Sequence, residues 1–112
     1  MNTLSVCLIG LRPATSEYCA VAIKKGEELD IPSIKLHKDK NIEQSLEELI
    51  AKYVDLDVNW IPKRLVTVVK DGTNLNVIYS GQIPYDTPLK KGATWQSSLI
   101  YFKGAVEATQ YL

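Results

Sequence analysis

The stretch LDIPSIKLHKDKNIEQSLEELIAKYVDLDV, residues 29–58, decides how this chain is read. Pro32 lacks a backbone N–H, so Leu29-Asp30-Ile31-Pro32 is confined to an edge or a loop. Asn41 is of the residue type that caps a helix N-terminus, and Glu43 places negative charge in the first turn, where the helix dipole favours it. From Ile42 onward, Leu46, Leu49, Ile50, Tyr53 and Leu56 recur at intervals of three and four. Glu43, Glu47, Glu48 and Lys52 fall on the other faces, so the spacing predicts an amphipathic helix beginning near Ile42.

Outward from this helix the chain reads as two hairpins. Thr3 to Leu11 and Glu17 to Lys24 are apolar, β-rich runs joined around Pro13-Ala14-Thr15-Ser16. Arg64 to Lys70 and Leu75 to Ile83 flank Asp71-Gly72-Thr73-Asn74, and Asp-Gly between β-branched runs is a strong hairpin signal. The turn-rich residues 84–92 predict a surface loop leading into Ala93-Thr94-Trp95. Ser97 to Leu112 carries apolar residues at mixed helical spacing and predicts a C-terminal helix that Gly104 weakens. The order hairpin, helix, hairpin, helix is α+β, not alternating βαβ.

A chain of 112 residues, 46% hydrophobic and 23% charged, has room for a single domain over 1–112 and enough apolar side chain to fold without staples. It shows no internal repeat or low-complexity segment. Thirteen basic residues balance thirteen acidic ones, so no global field draws the chain toward nucleic acid or an anionic membrane. Neither a leader nor an apolar stretch near spanning length is visible, and a cytoplasmic location is expected. Cys7 and Cys19 lie in strand-like runs outside any zinc or redox spacing and are expected to be buried thiols. His37 is the single histidine, which excludes a multi-histidine metal site.

With these elements in place, the chain resembles a Nudix hydrolase domain, carried by the element order and the segment from Leu29 to Val58. The resemblance implies an α/β/α sandwich, a mixed sheet between helices. The family's catalytic box runs Gly, five residues, Glu, seven residues, then Arg-Glu-apolar-any-Glu-Glu-any-Gly-apolar, preceded by an apolar residue and proline, which Ile31-Pro32 matches. In register, the first Gly falls on Ile34 and the first Glu on Lys40. The Arg then falls on Glu48, the next Glu on Leu49, the paired Glu on Lys52 and Tyr53, and the closing Gly on Asp55. Ile50 and Leu56 keep the apolar positions. In the family those carboxylates hold magnesium or manganese against a diphosphate, because hard cations need oxygen ligands. A lysine there repels the metal, so the resemblance implies a degenerate box, no catalytic residues and no cofactor.

The leading expectation is therefore a nucleotide or nucleotide-derived small molecule held without hydrolysis. Lys35, His37 and Lys40, with Lys38, cluster before the helix and could hold phosphate. Leu49, Lys52 and Tyr53 line the altered box, and Trp60 and Tyr85, each close to a proline in a loop, could stack a base. The bland readings are a solvated loop for the lysines and core burial for most aromatics, Trp95 and Tyr79 first. One rival is a protein-interaction or assembly module, including a homodimer, using a sheet edge or the face around Leu49 and Tyr53. Another is residual hydrolysis with magnesium or manganese through Glu43 or Glu47 with Asp55 or Asp57. An open cleft beside Leu49, Lys52 and Tyr53 favours the small molecule, whereas a filled one favours a scaffold.

Overall fold

The computed structural model describes residues 2–97; apart from Ser97, the expected C-terminal helix falls on residues outside that range. Seven strands make one mixed sheet: β1 (Asn2–Arg12), β2 (Glu17–Lys25), β3 (Glu28–Asp30), β4 (Ser33–Lys35), β5 (Lys63–Asp71), β6 (Asn74–Gln82) and β7 (Ala93–Gln96). The helix α1 spans Ile42–Tyr53, and Val58–Trp60 forms a short 3-10 turn. Both expected hairpins are present, with Ser16 and Gly72 at positive φ in their turns.

β1 is the axis of the sheet. Along one edge it runs parallel to β6 from Asn2 to Ile9. Its other edge is shared: Thr3 to Ser5 pair with β4, and Ile9 to Arg12 pair with β2. β2 likewise leaves β1 after Ala20 and pairs with β3 through Ile23 to Lys25, while β7 lines its opposite edge. The first two strands therefore splay apart, and Ile31-Pro32, linking β3 to β4, occupies the fork. Ile31 is buried, and the Pro32 carbonyl accepts a hydrogen bond from Val6 N at 3.0 Å. The proline lies between strands and has no N–H to leave unsatisfied, so the cost it carries within a sheet does not arise here.

Alternation along β1 produces two core layers. Leu4, Val6 and Leu8 meet Leu46, Leu49 and Ile50 of α1, while Cys7 and Ile9 point to the opposite face with Ala20, Ala22, Ile31 and Ile78. Asn41 caps α1, its side chain accepting from Gln44 N at 2.8 Å. The helix stops at Tyr53 because Val54 is extended (φ −124, ψ 131) and bridges to Leu89. Leu56, assigned to the apolar stripe from its spacing, lies beyond that stop and is exposed.

Candidate functional site

The C-terminal half of α1, on which the resemblance sets the box residues, packs on the core through Leu49 and Ile50 and is crossed at its end by a strap. Leu49 is 1% exposed and belongs to the core, so it offers no surface to a ligand. Tyr53 is half-buried at the edge of that core, and Lys52 stays exposed with its ammonium 5.4 Å from the centre of the Tyr53 ring. Residues 84–92 cross over this end of the helix. Lys90 N donates to Tyr53 O at 2.8 Å, Lys90 Nζ to Ala51 O at 2.7 Å, and Asp55 N to Pro88 O at 2.9 Å. A cation on the last carbonyls of a helix satisfies orphan acceptors and complements the dipole. Thr87 shapes the strap from within, its N and Oγ1 both donating to Pro84 O.

These residues do not fit a divalent cation. Among the described residues no three His, Cys, Asp or Glu side chains converge. Glu48 is tied to Lys40 at 2.7 Å, an exposed pair worth little in stability that nevertheless occupies the carboxylate. Leu49 has no donor atom, and Lys52 brings positive charge where a metal would need oxygen.

The other residues expected to share a ligand are distributed along β1. Lys35 pairs with Thr3 at the start of the strand, and His37 and Lys40 continue from it as an exposed loop. Tyr85 lies at the opposite end, its hydroxyl accepting from Arg12 Nε at 3.1 Å. Thr3 and Arg12 are about 30 Å apart at the usual rise of a strand, so one small molecule cannot touch both groups. Trp60 closes the 3-10 turn.

The Tyr85 end holds a cluster that sequence reading missed. Trp95, on β7, lies over Gly10, where a Cβ would come within 2.8 Å of its ring. Tyr85 meets Trp95 at 5.1 Å between centroids and 49° between planes, and the Arg12 guanidinium carbon is 5.3 Å from the Tyr85 centroid. The signal available was Gly10 itself, since a glycine inside an apolar strand marks a close approach. On the opposite face, burial and the charge of Asp30 push the Cys7 thiol up to about 12. Cys7 and Cys19 are both buried free thiols.

No protein-family model matches the chain. Mouse palmdelphin is 33% identical over 75 residues, which cover 63% of this chain and 14% of palmdelphin, so the chain spans a small part of that protein's length. Among solved structures, a MutT/nudix family protein from Enterococcus faecalis superposes with a TM-score of 0.69 at 12% identity over 84% of this chain and 42% of that one. The NUDIX domain of Shewanella oneidensis NrtR, crystallised with ADP ribose, gives a TM-score of 0.69 at 11% identity over 98% and 82%. The fold is Nudix-like. The C-terminal domain of mouse MUTYH, solved in complex with human PCNA, shares it at a TM-score of 0.67 and 11% identity over 87% of this chain and 72% of that one. The mixed sheet and the amphipathic α1 are elements that the resemblance implied. No described helix is long and apolar enough to cross a membrane.

Proposed function

We propose that this Nudix-like chain does not hydrolyse diphosphates and acts as a scaffold that binds another protein. The carrying observation is the burial of Leu49 in the core, beside a strap pinned by Lys90: of the positions where the family's box would hold metal, one is a buried leucine and another an exposed lysine, Lys52. Support for a protein partner comes from the MUTYH domain, a similar fold solved on PCNA. Incubation with ADP-ribose, nucleoside triphosphates and dinucleotide polyphosphates, with magnesium or manganese, tests the first half. No phosphate or nucleotide release is expected above a heat-denatured control; metal-dependent release lost in Glu43→Gln or Glu47→Gln would refute it and restore the hydrolase alternative.

A second reading is favoured by the cluster of Arg12, Tyr85 and Trp95. A guanidinium beside two aromatic rings suits a nucleotide-type small molecule, since base stacking contributes about 1–3 kcal/mol per base. The NrtR domain crystallised with ADP ribose supports it by likeness of fold. A thermal-shift panel of the same nucleotides decides between the readings. A shift abolished by Arg12→Ala selects the small molecule, and a flat panel leaves the protein-binding scaffold.

A further inference from the structure

The protein-binding reading leaves open which surface is used, and β5 supplies one. Among the described strands β5 pairs with β6 alone and stands at the edge of the sheet. The register shift between Leu65 and Thr67 sets Lys63, Leu65, Val68 and Lys70 opposite Gly81, Tyr79, Val77 and Leu75. Val77 and Tyr79 belong to the core layer beneath α1, so these four residues of β5 lie in a row on the helix side of the sheet. The helix packs on β1 and β4, two strands away. Leu65 is 53% and Val68 46% exposed.

Two half-exposed aliphatic residues are thus bracketed by two lysines. Lys63 Nζ donates to Val58 O at 2.6 Å, a neutral acceptor that leaves its charge in place. Lys70 is exposed, and neither lysine takes part in the Lys25–Asp30 or the Lys40–Glu48 ion pair. A second copy is a poor occupant. An antiparallel register that matches Leu65 with Val68 of the other copy also sets Lys63 against Lys70, twice per dimer, and like charges directly opposite are destabilising.

Resting on the protein-binding reading, we propose that this row docks an extended segment of a different protein, added as a strand to β5, in which two alternate aliphatic residues lie between acidic ones. Backbone hydrogen bonds from an added strand supply affinity, and alternate side chains supply selection. The lysines repel basic segments and favour acidic ones over uncharged ones at this open apolar edge.

The capped, fluorophore-labelled peptide Asp-Thr-Val-Thr-Leu-Thr-Glu places its acids on Lys70 and Lys63 and its Val and Leu on Val68 and Leu65. Saturable binding is expected by fluorescence anisotropy, weakening as salt is raised and protecting the β5 amides from hydrogen exchange. Lys70→Glu should weaken this peptide by about tenfold or more and favour the counterpart with lysines in place of both acids. Leu65→Ser, on an exposed position, should abolish binding while leaving the circular dichroism unchanged. Equal binding of the acidic and basic peptides, binding unaffected by Lys70→Glu, or none at all overturns the proposal. Sedimentation showing self-association lost in Leu65→Ser overturns it in favour of a second copy. These failures concern only this surface, whereas metal-dependent diphosphate hydrolysis defeats the reading on which it rests.

Discussion

β1 and β5 are both rich in Leu and Val, in opposite surroundings. Leu4, Val6 and Leu8 of β1 are fully buried, with β2, β4 and β6 on its edges and α1 above it. Leu65 and Val68 of β5 keep about half their surface, with β6 as the single described neighbour. Composition makes a segment a strand, but the partners that arrive from elsewhere in the chain make it a core or an edge. The charges follow the same division: β1 between Leu4 and Leu11 has none, whereas β5 carries Lys63, Arg64 and Lys70, the guard that open edges require.

The sharpest way to break the comparison is to make the same cut in both strands. Leu8→Ala should lose about 2–5 kcal/mol of unfolding free energy in urea, and Leu65→Ala about 0.5 kcal/mol or less; equal losses would show that β5 is covered. Next in size is an effect of pH confined to β1. In the folded chain Cys7 holds its proton up to about 12, against 9.0 for a free thiol. Between those values the folded state binds more protons than the unfolded one. The stabilisation is complete below pH 9 and is lost as pH rises, by about 2–3 kcal/mol at pH 11. Lys25, whose ammonium is pushed down by burial, works with the opposite sign and is common to parent and variant, so Cys7→Ala should flatten the difference curve.

Smaller effects test what α1 does for β1. Removing the cap with Asn41→Ala should cost about 1 kcal/mol and speed amide exchange in β1 more than in β5. Lys90→Met removes the ammonium from the Ala51 carbonyl and should cost about 0.3–1 kcal/mol. A change in Tyr53 fluorescence without loss of the fold would locate that effect at the strap. No difference between β1 and β5 exchange in Asn41→Ala would mean that the helix protects the whole sheet.

The elements that declared themselves in the sequence are those closed by local chemistry. Asp71-Gly72 turned its hairpin because Gly72 accepts a positive φ, and Asn41 began its helix where the cap was expected. The fork around Ile31-Pro32 was not legible, because it exists only after β3 and β4 have found different strands. β7 was missed for the same reason: Ala93 to Gln96 are four residues whose extension depends on pairing with β2. Residue type gave Leu49 its place on the apolar stripe of α1, but the depth of its burial required knowing what α1 packs against. Charge and aromaticity alone put Lys35, His37, Lys40 and Tyr85 in one group, which β1 pulls apart along its length.

The parallel pairing of β1 with β6 also sets a schedule for folding. Thr3 and Asn76, partners in that ladder, are 73 residues apart in the chain. At ribosomal rates of about 5–20 residues per second that separation is roughly 4–15 s of synthesis. Through that interval Leu4, Val6 and Leu8 have emerged without the strand that completes one edge of β1, while closure of so long a loop is also an entropic cost that local contacts do not share. A strand whose apolar row is fully buried in the finished molecule is thus one that waits through 73 residues of synthesis for the partner along one of its edges.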